Sequence, residues 1–120
     1  MSKAPTATEI RVRRASASLE IGFDDGLRAT LPAEYLRVES PSAEVQGHAP
    51  HEKVTVAGKR DVNIVAVEPI GNYAVRIRFT DGHDTGIFSW AYLHTLAVER
   101  EARWAAYLEA LRAKKLSRDA

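Results

Sequence analysis

Apolar and polar side chains alternate from Ile10 onward. Ile10 and Val12 stand against Arg11 and Arg13, then Leu19, Ile21 and Phe23 against Ser18, Glu20 and Gly22. A period of two over runs this short predicts half-buried β-strands. Asp24-Asp25-Gly26 predicts a turn, because glycine accepts the positive φ of a tight hairpin, and Leu27 to Leu31 is expected to return as a third strand. Pro32 then suits the first position of a short helix carrying Tyr35 and Leu36, where its missing N–H is not needed.

Ser40 to Thr55 has Ser-Pro, Gln-Gly and Ala-Pro steps and reads as an irregular loop. Asp61 to Glu68 is rich in Val and Ile on both faces, which predicts a central strand covered on both sides. Tyr73, Val75, Ile77 and Phe79 alternate with Ala74, Arg76, Arg78 and Thr80, a clear strand signal. Asp81-Gly82-His83-Asp84 turns the chain into a short strand, Thr85 to Phe88. Ser89 is a good N-cap for a helix carrying Trp90, Leu93 and Leu96. A final helix is expected over about Glu99 to Leu116, with Trp104, Tyr107, Leu108 and Leu111 at i, i+3, i+4 and i+7 as one apolar stripe.

The halves resemble each other. Phe23-Asp24-Asp25-Gly26 leads to Tyr35-Leu36, and Phe79-Thr80-Asp81-Gly82 leads to Tyr92-Leu93. Two hairpins with independent turn chemistry, or a repeated unit with pseudo-twofold packing of the two Tyr-Leu helices, both account for this. The fold class is α+β: a small, mainly antiparallel sheet domain with a short helix after each Asp-Gly hairpin and an amphipathic helix closing it. Residues 1–8 read as a disordered lead-in, 9–116 as one domain and 117–120 as a tail.

Composition narrows the chemistry. A chain of 120 residues suits one domain, and 45% apolar with 28% charged residues is ordinary for a globular core. A net charge of +1 supplies no field for nucleic acid or an anionic membrane. Arg112, Lys114, Lys115 and Arg118 crowd the end of the last helix, where solvation and the helix dipole favour them. There is no cysteine, which excludes disulfides, thiolate nucleophiles and cysteine-ligated metal. No apolar run approaches the roughly 20 residues of a spanning helix, and no signal-peptide pattern opens the chain, so a cytoplasmic protein is expected.

No phosphate loop, nucleophile elbow or metalloprotease motif occurs. The aromatics Tyr73, Phe79, Phe88, Trp90 and Trp104 are expected in the core rather than on a nucleic-acid platform. Of four histidines, His48 and His51 lie in the long loop, His94 is expected at the core edge, and His83 sits at a turn tip between Asp81 and Asp84, carboxylates that would favour an imidazolium or a metal.

Longer strings carry a family resemblance. Leu31-Pro32-Ala33-Glu34-Tyr35-Leu36-Arg37-Val38, Ser40-Pro41-Ser42-Ala43-Glu44-Val45-Gln46-Gly47-His48, Gly71-Asn72-Tyr73-Ala74-Val75 and Phe79 through Trp90 resemble the bacterial stand-alone form of the gamma-butyrobetaine-hydroxylase-like N-terminal domain, a domain of unknown function. In eukaryotic hydroxylases, the resemblance implies, this domain precedes a catalytic barrel and holds structural zinc through three cysteines and a histidine. His83 matches that histidine, while Ser40, Ser42 and Val45 fall at the cysteine positions. The iron-binding barrel is absent, so no enzyme activity is expected. A similar domain is appended to some P-loop iron–sulfur carriers, which implies a docking role in metal or iron–sulfur handling. The expected function is therefore a non-catalytic adaptor for a protein partner, with Arg37, Glu39, Ser40, Ser42, Asp81, His83 and Asp84 as the candidate surface and no resident cofactor. The alternative is a small zinc- or iron-binding protein using His83 with Asp81 or Asp84, helped by His48 or His51.

Overall fold

Six strands form two separate antiparallel sheets in the computed structural model, which describes residues 5–47 and 53–119. β1 (Ala7–Arg13), β2 (Ser18–Phe23) and β3 (Arg28–Pro32) make the first, in that order. β4 (Ile64–Ile70), β5 (Ala74–Phe79) and β6 (Gly86–Ser89) make the second. α1 (Ala33–Val38) follows β3 directly, and α3 (Trp90–Val98) follows β6. A one-turn helix, α2 (Ala43–Gln46), interrupts the expected loop, and α4 (Arg100–Ala113) ends the set.

The alternation places the core. Leu19 pairs with Val12 on one side and Leu31 on the other, and Ile21 pairs with Ile10 and Ala29, so one face of the first sheet is apolar. Val75, Ile77 and Phe79 do the same for the second sheet, with Phe88 opposite Val75. Both faces, with Tyr35 and Leu36 of α1 and Leu93 and Leu96 of α3, merge into one buried cluster. Each fully buried Leu or Ile contributes about 1.5–3 kcal/mol of transfer free energy, so this cluster dominates stability. A smaller cluster of Val38, Tyr107 and Leu111 seats α4.

Several expectations need correction. The Val- and Ile-rich run becomes β4, which is an edge strand rather than a central one; Val65 is 42% exposed, and β5 is the covered centre. Tyr73 is 57% exposed because the β4–β5 turn carries its ring away from the core while its carbonyl accepts the Trp90 N–H. Leu108 stands at the margin of the α4 seam, 39% exposed. Pro32 is the N-cap of α1 rather than its first residue. Arg118 is not part of a solvated helix end: it folds back onto Glu34. Ser89 does cap α3, accepting the Tyr92 N–H.

The two halves are equivalent in detail. Gly26 and Gly82 both have φ of +90°, and their N–H groups donate to Phe23 and Phe79 at 3.0 and 3.1 Å. Asp25 and Asp81 each accept the N–H two residues on, from Leu27 and His83. The other carboxylate oxygen of each then crosses to the opposite helix, Asp25 to His94 Nε2 and Asp81 to Arg37 Nε, both at 2.7 Å. The Tyr35 hydroxyl donates to the Leu96 carbonyl and the Tyr92 hydroxyl to the Glu39 carbonyl. Leu96 follows Tyr92 by four positions and Glu39 follows Tyr35 by four, so the exchange is reciprocal. Register irregularities also match: each falls at the edge residue facing the turn phenylalanine, Ala7 opposite Phe23 and Ile64 opposite Phe79. The repeat read from the two Tyr-Leu segments is thus a structural one.

Candidate functional site

The candidate residues converge where the end of α1 and α2 meet the β5–β6 turn. Ser42 caps α2 by accepting the Glu44 N–H, and its hydroxyl shares a 2.8 Å hydrogen bond with Thr85. Ser40 Oγ accepts the Ser42 N–H and lies 2.9 Å from His83 Nε2. The other ring nitrogen of His83 is 3.2 Å from Glu44 Oε2 but lacks the alignment of a hydrogen bond. Gly86 makes room for this packing, since a Cβ there would stand 2.5 Å from Ser40 Oγ.

Charge organises the flank. Asp81 bridges Arg37 and Lys59, each at 2.7 Å. Burial opposes its ionisation, yet hydrogen bonds from Lys59, the His83 N–H and Arg37 together hold its carboxyl down at about 2. His83 moves the other way from the sequence expectation. Burial lowers its pKa first and the Arg37 charge adds to that; the opposing pull of Glu44 and Asp81 is smaller. The neutral imidazole is therefore the form this turn favours.

Burial separates the candidate surface residues. Glu39, Ser40, Ser42 and His83 are buried; Arg37 pairs with Asp81 through Nε while its Nη1 is buried without a hydrogen-bond partner, Asp81 also takes Lys59, and Asp84 is exposed. Structure thus brings Arg37, Ser40, Ser42, Asp81 and His83 together as an internal polar joint between the halves. Glu39 belongs to a second joint. Its side chain, 3% exposed, takes Lys53 at 3.1 Å and Arg103 at 2.8 Å. Burial and then the Glu39 charge push the nearby Tyr92 hydroxyl up to about 12. His94 is at the core edge, its ring 4.9 Å from Phe23. His48 and His51 lie outside the described residues.

Ser40, His83 and Glu44 have the connectivity of a nucleophile, base and orienting acid. Access decides against that chemistry. Ser40 has no exposed surface, its oxygen already accepts a backbone N–H, and the Glu44 side chain is 64% exposed and unaligned. The zinc implied by the resemblance does not fit either. Its positions hold two hydroxyls and the Val45 isopropyl group, and Nε2 of the one imidazole is engaged by Ser40. Among the described residues no three His, Cys, Asp or Glu side chains gather to hold a metal ion.

Two clefts went unread in the sequence. One, of about 650 Å³, runs between the outer edges of β1 and β4, lined by Ile10, Val12, Val65, Val67, Val75 and Trp90. The other, about 480 Å³, lies between α1 and α4 beside Glu34, Trp104 and Arg118. Only the Trp104 position was legible, as part of a helical stripe. Among the described residues no helix is long and apolar enough to cross a membrane.

Comparison with known proteins agrees with this architecture. A family model described as gamma-butyrobetaine hydroxylase-like, N-terminal, matches residues 10–94. Two NMR solution structures are similar at TM-score 0.84, one 44% identical over 98% of this chain and 92% of its own, the other 50% identical over 98% and 88%. A crystal structure from Acidithiobacillus ferrooxidans, of a protein of unknown function in the DUF971 family, is 41% identical with TM-score 0.64, covering 77% of this chain and 92% of that one. No curated protein matches. The match spans the N-terminal domain and no catalytic domain, and the chain belongs to the gamma-butyrobetaine hydroxylase-like N-terminal family.

Proposed function

We propose that this chain is a non-catalytic docking domain that takes up an extended segment of a partner protein. The observation carrying this reading is the groove between β1 and β4. Each strand is hydrogen-bonded on one side only, and no backbone hydrogen bond joins the two among the described residues. The groove is lined mainly by apolar side chains, with Thr8, Glu9 and Arg14 among them, and apart from the Val65 carbonyl, which Arg14 takes, the backbone edges beside it are open to an added strand among the described residues. Arg14 and Asn63 tie one end of the slot, through Val65 O and Arg14 O, which fixes the spacing of the two edges without filling it. Pro69 has no N–H, so pairing along β4 is confined to the stretch before it.

The polar joint around His83 supports this role from beneath by locking the halves that carry the two edges. The family resemblance implies a partner from metal or iron–sulfur handling, and a sealed serine and an engaged histidine leave no reaction for the domain itself. The test is selection of short displayed peptides against the intact protein, followed by hydrogen exchange on the complex. Enriched peptides with alternating apolar residues, protecting β1 and β4 amides and lost on Val67→Lys, agree with the proposal. Protection elsewhere, or no enrichment, refutes it.

A further inference from the structure

The cleft between α1 and α4 contains a fully assembled recognition site for a guanidinium group. Glu34, on the first turn of α1, keeps its side chain only 7% exposed, and both of its oxygens are taken by Arg118: Oε2 by Nε at 2.8 Å and Oε1 by Nη2 at 2.7 Å. The same guanidinium lies over the Trp104 ring, 5.2 Å from its centroid. A bidentate carboxylate beneath an aromatic face is the geometry that selects arginine over lysine. Beside it the cleft continues as open space lined by Pro32, Tyr35, Glu101, Ala105 and Leu108.

Arg118 arrives there by a turned segment. Just past the end of α4, Lys115 adopts the left-handed region, φ +58°, and the Leu116 N–H reaches back to the Leu111 carbonyl. Such a turn is disfavoured for a residue with a Cβ, so contacts hold the segment in place rather than any preference of the turn. The backbone is separately anchored, because Gly58 and Arg60 donate to the carbonyls of Ser117 and Arg118. The Arg118 side chain, 30% exposed, can therefore leave while the backbone stays.

We infer that the Glu34–Trp104 cleft is an arginine-binding subsite, held in cis by Arg118 and taken in trans by an arginine of another polypeptide. Removing Arg118 leaves the buried Glu34 carboxylate uncompensated. Glu101 and Arg100 also line the cleft, so once Arg118 withdraws its two carboxylates outnumber the one remaining guanidinium, which favours a basic visitor, while Pro32, Ala105 and Leu108 suit an apolar neighbour of that arginine. This site is independent of the β1–β4 groove.

The test uses the full chain, native and Arg118→Ala, titrated by NMR with a blocked Ser-Arg-Asp peptide and its lysine counterpart. Saturable shifts at the Trp104 indole N–H and Glu34 amide are expected in the variant, with affinity for the arginine peptide at least about tenfold above that of the native chain, whose own side chain competes. The lysine peptide should bind at least about tenfold more weakly than the arginine peptide. Equal binding of both peptides, equal binding by native and variant chains, or no binding overturns the inference. Should Arg118→Ala fail to fold, Arg118→Lys replaces it. In addition, the native Arg118 side-chain N–H signal must move as excess arginine peptide displaces it; a signal that stays fixed while Trp104 shifts refutes the site. Val67→Lys must leave all these titrations unchanged.

Discussion

Replacing His83 by Ala separates an internal joint from an exposed contact point. The ring is buried, lies 6.0 Å from the Phe79 ring, and gives Ser40 Oγ its side-chain partner. Ser40 keeps the Ser42 N–H in the variant, so the unsatisfied hydroxyl sits at the low end of its range, about 1 kcal/mol. The vacated ring leaves a cavity and forfeits packing worth about another 1–2 kcal/mol. A loss of about 2–3 kcal/mol is therefore expected, which lowers Tm by about 6–15 °C for a domain of this size. Urea unfolding followed by the fluorescence of Trp90 and Trp104 measures it, with the slope m unchanged. Acidity supplies a second arm. Because folding lowers the His83 pKa from its ordinary 6.5, the unfolded chain binds more protons once pH falls below that value. The stabilisation is thus fully present above about 6.5 and is lost as pH falls toward the folded value, with a slope of at most about 1.4 kcal/mol per pH unit for one proton. That component of the slope should vanish in His83→Ala. A variant within about 0.5 kcal/mol of native stability, with an unchanged acid limb, would refute the argument.

Gly86→Ala should cost about 1–3 kcal/mol by driving a Cβ into Ser40 Oγ, and Ser40→Ala in the same chain should recover part of it; additive losses in urea melts would count against that clash. Tyr35→Phe and Tyr92→Phe should each cost about 1 kcal/mol, alike within a few tenths, since each removes one half of a reciprocal pair. Calorimetry showing one of them neutral would break the equivalence. Asp81→Asn should destabilise more than Asp25→Asn, because Asp81 serves two cations and is less exposed, 18% against 44%. Its contribution is present above the ordinary carboxylate value of 3.8 and is lost as pH falls through that value toward about 2, so thermal melts of native and Asp81→Asn chains should converge in acid.

Local pattern made the strands legible, and also the two Asp-Gly turns and the serine cap of α3, since each depends on residues within one turn or one pleat. What stayed hidden depends on partners far away in sequence. Glu39 was a candidate for the partner surface and Glu34 only part of a family string, yet Arg103 and Arg118 pair with them from 64 and 84 positions away, and no periodicity reports that distance. The Val-rich run had the composition of a central strand, but composition does not say whether a neighbour exists on both sides. His83 lies at the turn the sequence predicts, and its contact with Ser40 joins two of the candidate residues. Its neighbours in sequence suggested a charged ring, whereas the Arg37 charge and the burial that neutralise it come from tertiary packing. The two exposed members of supposed core sets, Tyr73 and Leu108, show the same limit: position on a face is local, coverage of that face is not.

The reciprocal bonds between the halves bear on how the molecule could be cut. Each three-stranded sheet offers one apolar face, and both faces are buried together with α1 and α3 in one shared cluster. The link between Gly47 and Lys53 keeps these complementary pieces at high effective concentration. Chains severed there should find one another and restore the Tyr35–Leu96 and Tyr92–Glu39 exchanges, with affinity set by the buried faces, so that the order of the halves along the backbone becomes interchangeable while the contacts do not.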